Sequence, residues 1–425
     1  MTTITHKNFV APSLHMEFIE SFLVAGDTYD TAVTNGIYLR SRYQPIYSLA
    51  HQRAVGFEAL VRPFYGNGDQ LLPISLFANT QDIEEKIFLD RLCRTLHVRN
   101  FVRQGDDISW LFLNVDPMVT TEGRHYGSFF KQLLDRYQLP PHRVVVEILE
   151  GKIHDENSLA EAVRYYRDIG CLVAIDDFGV GQSNFDRIWR IAPHIVKLDR
   201  SIIKQASNSN AVRRVLPSLV SLIHEAGSLV LIEGVETAEQ AMIALHAEID
   251  FVQGYFFNKP QEQLPASTAC PAIAQLFEQF RENNQREVLS AQNKFSTYTE
   301  RFLETISRIQ QGTAIEIALA DFLCIPDVRR CYLLDEYGLQ IGSNYSMLAT
   351  DGPTDHRFNP LNDARNAIWV RRHYFQSAVA EPDRVQISKP YLSITGGTLC
   401  VTLSIAFYQH GRLQVLCGDI DWVDM

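Results

Sequence analysis

Five acids and one amide fall at the ends of short apolar runs in this chain. They are Glu58 in VGFEALVR (55–62), Asn114 in WLFLNVD (110–116), Glu147 in VVVEILE (144–150), Asp176 and Asp177 in LVAIDDF (172–178), and Glu233 in LVLIEGVE (229–236). Hard oxygen donors without Cys or His suit Mg2+ or Mn2+ better than zinc. Gathered in one place, carboxylates raise one another's pKa values, so such a set is costly unless cations neutralise it. Two divalent cations against five negative ligands leave about one negative charge. An anionic substrate then needs cationic side chains as well, and Arg62 and Lys197, at the ends of their own runs, supply them. A single acid after a strand most often only caps the next helix, and a lone buried lysine most often partners a structural carboxylate. A carboxylate inside an apolar strand, as Glu58 is, is expensive to bury unpaired. Independent capping does not explain such residues recurring in register on run after run.

The elements that must position them follow from the pattern. The runs above, with IVKLDR (195–200) and FVQGYFF (251–257), alternate with amphipathic stretches such as LAEAVRYYRDIG (159–170). Continuous apolar strands separated by helices predict a parallel sheet covered on both faces. Seven such units within residues 41–260 fit a (β/α) barrel better than an open sheet, and SRYQPIYSLA (41–50) offers one more strand. In a barrel the strand C-termini converge on one face, so the acids share one mouth.

At 425 residues the chain predicts two domains or three. Residues 1–36 show one helix, LHMEFIESFL (14–23); 37–265 make the barrel; 266–322 read as a connector of one or two long helices. The connector's apolar positions, Leu276, Phe280, Val288, Phe295, Phe302, Ile306 and Ile309, are too irregular for a clean coiled coil. Residues 323–425 read as an antiparallel sheet with helices on one side, so the fold class expected is an α/β TIM-like barrel, a connector helix and an α+β domain. The net charge, 39 − 50 = −11, argues against general affinity for DNA or anionic membranes. The seven scattered Cys read as reduced thiols. With no signal peptide and no apolar run of the roughly 18 residues a membrane span needs, a cytoplasmic protein is expected.

Residues 58–62, Glu-Ala-Leu-Val-Arg, match the Glu-Ala-Leu-x-Arg signature of the EAL family, bacterial cyclic-di-GMP phosphodiesterases. Further motifs follow in the family's order: Gln44-Pro45-Ile46, Asn114-Val115-Asp116, Glu147-Ile148-Leu149-Glu150, Asp176-Asp177-Phe178-Gly179, Lys197-Leu198-Asp199, Glu233-Gly234-Val235-Glu236, and Gln253-Gly254-Tyr255 before Pro260. The resemblance spans about residues 37–265 and implies hydrolysis of cyclic-di-GMP to linear pGpG with two cations, Mg2+ or Mn2+. It implies Glu58, Asn114, Glu147, Asp176 and Glu233 as ligands of the first cation, Asp176 and Asp177 reaching the second, and Gln253 holding one through water. Lys197 matches the residue that orients or deprotonates the attacking water. Arg62 matches a phosphate contact and Gln44 a guanine contact, with Asp199, Glu236 and Pro260 lining the substrate, while Glu150 matches the residue that steadies the loop after Asp177. In that loop, DDFGVGQSNF, Val180 stands where the family has Thr, and Asn184-Phe185 where it has Ser-Leu; every ligand position is retained. The family also implies a homodimer. The competing reading is a receptor that binds the dinucleotide without cutting it and signals through the connector.

The C-terminal run YLLDEYGLQIGSN, WVRRHYFQSA (369–378), VQISKPYLSITGGTLCVTLSIAF and LCGDIDW resembles PAS-like and Cache-type sensor modules. Either a small-ligand pocket lies near Trp369, Arg371, Tyr374 and Tyr391, or these aromatics fill the core of a small sheet. A cytoplasmic regulatory or dimerisation unit is the expectation.

Overall fold

The computed structural model describes residues 14–78, 80, 82–116, 119, 128–149, 156–179, 185–265, 269–347, 364–393 and 398–422, with backbone alone at 149, 156–158 and 284–294. The chain divides into two compact units, residues 1–282 and 283–425.

The first unit is built on a sheet of strands β1 (Leu23–Val24), β2 (Thr31–Thr34), β3 (Ile37–Ser48), β4 (Arg53–Tyr65), β5 (Trp110–Val115), β6 (Val144–Leu149), β7 (Leu172–Phe178), β8 (Ile195–Leu198), β9 (Leu229–Ile232) and β10 (Phe251–Val252). The order runs β3-β10-β9-β8-β7-β6-β5-β4 and closes between β4 and β3, making an eight-stranded barrel. The strands β4 to β10 are parallel to their neighbours, whereas β3 is antiparallel to both β4 and β10. The eighth strand thus departs from the parallel pattern. A short turn at residues 49–52 joins β3 to β4, and a link so short can only return antiparallel. Helices such as Ile83–Val102, Arg200–Asn208 and Ala238–His246 cover the outside. Asp82, Asp199 and Thr237 cap them by accepting from the amides of Glu85 (2.8 Å), Ser201 (2.8 Å) and Gln240 (3.2 Å). The N-terminal segment adds more than the expected helix. Leu14, Met16 and Ile19 enter the barrel's main core, and β2 extends the sheet beside β3.

The helix Pro271–Gln310 explains its own uneven pattern. Ile273 and Leu276 belong to the core of the first unit, while Phe302, Ile306 and Ile309 belong to a core in the second. The second unit is an antiparallel sheet of β11 (Val328–Asp335), β12 (Gln340–Tyr345), β13 (Gln386–Ile387), β14 (Tyr391–Leu392), β15 (Leu399–Gln409) and β16 (Arg412–Asp421), in the order β12-β11-β16-β15-β13 with β14 also on β15. Helices lie on both faces of this sheet, which corrects the one-sided arrangement read from the sequence. Cys331, Leu333, Leu403 and Ile405 pack with Phe302 and the helix Ile315–Leu323. Tyr332, Leu334 and Ala406, which alternate with them, pack with Tyr374, Phe375 and Ala378 of the helix His373–Ala380. Two covered faces leave little polar alternation along β15, buried from Cys400 to Phe407. Trp369, Tyr374 and Tyr391 line a cavity, as does Arg372; Arg371 does not, and it is exposed, a second correction. Among the described residues no helix is long and apolar enough to cross a membrane.

Candidate active site

The barrel interior is plugged by one residue from nearly every strand: Ile46, Phe112, Val145, Ala174, Ile195, Leu231 and Phe251. On β4 the matching position is Gly56, where an added Cβ would stand 2.6 Å from the Phe112 ring, so only glycine leaves room for that plug. Strand side chains alternate with period two, so the next inward position toward the mouth lies two residues along each strand. Those positions are Gln44, Glu58, Asn114, Glu147, Asp176, Lys197, Glu233 and Gln253. An apolar floor therefore carries a ring in which every strand contributes a polar group. The register keeps it in step, with Gln44 opposite Glu58, Asn114 opposite Glu147, and alternate strand pairs offset by two residues. That stagger is the tilt that closes a barrel.

Lys197 is the hub of the ring. Fully buried, its Nζ lies 2.5 Å from Glu233, 2.6 Å from Glu147, 3.1 Å from Asp176 and 4.0 Å from Glu58. Glu58 also accepts from Asn114 Nδ2 (3.0 Å) and Gln253 Nε2 (2.8 Å). Four carboxylates thus face one ammonium. Burial pushes Glu147 well above the usual carboxylate range, Glu58 and Asp176 add to it, and Lys197 offsets only part. Glu233 is pushed to about 8 by burial with Asp176 and Glu58, again partly offset by Lys197. Burial lowers Lys197, but Asp176, Glu147, Glu233 and Glu58 outweigh it and hold its ammonium well above the ordinary lysine range.

The two consecutive aspartates reach the same mouth because β7 bulges. Its register with β8 shifts between Ile175 and Phe178, and Asp177 takes a left-handed φ of 60°. A bulge of this kind re-aims a side chain, and Asp tolerates that backbone better than most residues. Asp177 donates its amide to Asp176 Oδ1 at 3.0 Å, and burial with the Asp176 and Asp199 charges raises its carboxyl pKa. One oxygen each from Asp176, Asp177 and Glu233 lies within 4.8 Å of the others.

The donor set fits a hard divalent cation. It is all oxygen apart from Lys197, its negative charge exceeds its positive charge, and buried acceptors in it stand bare. Gln253 Oε1 and Glu147 Oε2 are buried and receive no hydrogen bond among the described residues, while Glu147 Oε1 meets the Lys197 ammonium at 2.6 Å. Unsatisfied buried acceptors are rare in folded proteins, and a divalent cation or its bound water is the kind of partner that these would accept.

The remaining expected residues are spread around the ring. Arg62 lies four residues beyond Glu58 on β4, half-buried, donating to Val61 O; burial lowers its pKa and Arg42 adds to that, against Tyr255. Gln44 donates to Asn258 O at 3.4 Å. Pro260 precedes Gln261, whose backbone pairs with Tyr43, beside Gln44. Asp199 caps the helix Arg200–Asn208, and Glu236 is exposed. Glu150 and residues 180–184 of the loop lie outside the described residues. Sequence reasoning missed Asn258, which contacts Gln44 and also donates to Tyr47 OH at 2.8 Å. It also missed what Gly254 does. Any Cβ there would sit 2.0 Å from Val235 O, where Val235 N bonds Gln253 O and locks that residue in place.

An eight-stranded barrel with one antiparallel strand and an acidic ring around a central lysine defines a class, and the family of EAL domains matches residues 28–260. The chain belongs to that family. YkuI of Bacillus subtilis, an uncharacterised EAL-domain protein, is 26% identical over 350 residues, covering 78% of this chain and 82% of YkuI. The cyclic di-GMP phosphodiesterase RocR of Pseudomonas aeruginosa is 31% identical over 229 residues, covering 52% of this chain and 57% of RocR. The crystal structure of YkuI in complex with substrate c-di-GMP and calcium shares the fold, with a TM-score of 0.75 at 22% identity over 91% of this chain and 97% of that one. The chain spans 28% of the length of another relative, the signalling protein YkoW of Bacillus subtilis.

Proposed function

We propose that the barrel hydrolyses cyclic-di-GMP to linear pGpG with Mg2+ or Mn2+. The observation that carries this reading is the ring: four carboxylates around the single ammonium of Lys197 at the mouth of a barrel. The name of RocR and the c-di-GMP and calcium in the YkuI crystal are consistent with it. Glu58, Asn114, Glu147, Asp176 and Glu233 would hold one cation, Asp176 and Asp177 a second, and Gln253 would act through a water. When bound, the cations supply Lewis-acid activation of water and charge neutralisation for a phosphodiester.

The chain's own groups do the rest. Lys197 offers its ammonium to the carboxylates and to the attacking water, which it orients from the floor of the mouth. Arg62 pairs with a phosphate oxygen, and its half-burial strengthens that contact by excluding water. Gln44, steadied by Asn258, presents an amide to a guanine edge. Asp199, Glu236 and Pro260 complete the substrate surface, and Glu150 holds the loop after Asp177. The C-terminal unit regulates the barrel, and the protein works as a homodimer.

Incubation of purified protein with cyclic-di-GMP and Mn2+, followed by chromatography of the nucleotides, tests the proposal. Conversion to pGpG is expected, with Glu58→Ala lower by orders of magnitude. Binding without conversion under saturating Mn2+ would instead identify a receptor.

A further inference from the structure

The wall that rises above the acidic ring carries more positive charge than its neighbours neutralise. Strands β3 and β4 run past the barrel mouth as a two-stranded ribbon, and the period of two sets which of its residues face inward. Above Gln44 come Arg42, Arg40 and Tyr38; above Glu58 come Leu60, Arg62 and Phe64. The residues between them, Leu39, Ser41, Tyr43, Ala59 and Val61, are buried on the other face. Arg40 stands directly opposite Arg62, a pairing that costs stability between like charges, and Arg42 lies on the diagonal to Arg62. The residue opposite Arg42 is Leu60, so no acid answers it across the ribbon.

Among the described residues, Glu262 alone comes within ion-pair distance of these three arginines. It lies 3.9 Å from Arg40 and 3.8 Å from Arg42, loose half-exposed contacts of the kind worth under about 1 kcal/mol. Two positive charges are left over. The ring does not consume them, because two divalent cations and Lys197 balance its five carboxylates. A surplus of two matches the two phosphodiesters of a cyclic dinucleotide. Arg62 meets one of these in the reading above. Arg40 is tied to the Phe64 ring at 4.6 Å, whereas Arg42 keeps only the Glu262 contact among the described residues. Two residues of strand put Arg42 about 7 Å above Gln44, within side-chain reach of a ligand seated on the ring.

We propose that Arg42 binds the second, uncut phosphodiester of the dinucleotide, displacing Glu262, and so determines specificity for a ligand with two phosphates. This inference rests on the cyclic-di-GMP reading and gives a cationic partner to the half of the ligand that lacked one. The test measures binding of cyclic-di-GMP to the full chain by isothermal calorimetry in Ca2+, the cation of the YkuI crystal. Arg42→Gln should weaken binding about tenfold or more, the loss of one charge-assisted contact, and Arg42→Lys should recover part of it. Arg53→Gln makes the same charge change at the far end of β4 and should leave the affinity unchanged. The linear dinucleotide GpG, with one phosphodiester, should bind wild type more weakly than cyclic-di-GMP does, and Arg42→Gln should narrow that gap. The thermal midpoint of Arg42→Gln should equal or exceed the wild type's, since a repulsion is removed. Wild type that binds no cyclic-di-GMP overturns the substrate reading and this inference with it. Wild-type binding that Arg42→Gln leaves within twofold, or that Arg53→Gln weakens equally, or a gap between the two ligands that Arg42→Gln does not narrow, overturns this inference alone.

Discussion

Removing the charge of Lys197 while keeping its shape, Lys197→Met, probes the ring directly. The ammonium is fully buried and stands 2.5–4.0 Å from four carboxylates. Glu233 at 2.5 Å, Glu147 at 2.6 Å, Asp176 at 3.1 Å and Glu58 at 4.0 Å face it, and burial raises the first two above the usual carboxylate range. At an effective dielectric constant of about 20, a unit pair near 4 Å is worth about 4 kcal/mol. Burying the ammonium costs several kcal/mol in return, which brings the expected loss to about 3–5 kcal/mol, the usual result of stranding a buried charge. At ~2–4 °C per kcal/mol, the metal-free midpoint should fall by roughly 10 °C. Thermal melts followed by circular dichroism, in EDTA and in Mn2+, measure this. Mn2+ restores positive charge to the ring, so it should raise the variant's midpoint by more than the wild type's. If the variant in EDTA melts at or above the wild-type temperature, the ring is not held by this ammonium. If Mn2+ raises both proteins equally, the cation does not bind among these carboxylates.

In EDTA, stability should fall as pH rises from about 5 to 8. The folded pKa of Glu233, raised from 4.5 to about 8, makes its contribution complete below the unfolded value and lost as pH passes the folded one; urea melts in EDTA and in Mn2+ should differ most at the upper end. His97 acts in the opposite direction. Burial, with Arg62 adding, lowers it from 6.5 to about 3, so its contribution is present above pH 6.5 and lost as pH falls, by about 2 kcal/mol near pH 5. His97→Gln should flatten that acid limb of the urea-midpoint profile, and an unchanged limb would assign it elsewhere. Gly56→Ala forces a Cβ to within 2.6 Å of the Phe112 ring, so a loss of about 1–3 kcal/mol is expected, with cyclic-di-GMP turnover reduced as Glu58, two residues on, moves. Light scattering at micromolar concentration should show a dimer, and a 48.4 kDa species alone would remove that part of the proposal.

The charged residues were legible because a charge in an apolar strand has no cheap explanation, and Glu58, Glu147, Asp176 and Lys197 all announce themselves that way. Alternation was also legible in principle: each ring residue follows a floor residue by two, as Val145 precedes Glu147 and Ile195 precedes Lys197. Spacing along one strand carries no information about its neighbours, so the identity of Lys197 as hub of four carboxylates waited on the register.

Composition and period thus determined that the chain forms strands and helices and that Glu58, Asn114, Glu147, Asp176, Lys197 and Glu233 fall at strand ends, while Gln44 and Gln253 came from the family resemblance. The tertiary structure decided what depends on contacts distant in sequence. The closure of the barrel rests on β3 pairing with β10, which brings Tyr47 and Ser48 to Val252 and Phe251. Helices cover both faces of the second sheet because residues alternating on β11 meet different partners. Arg372, rather than its neighbour Arg371, lines the cavity because the chain turns into the helix His373–Ala380 there, and one residue of rotation separates a solvated guanidinium from a half-buried one. Local preferences act through neighbours in sequence, whereas burial and charge pairing are set by neighbours in space.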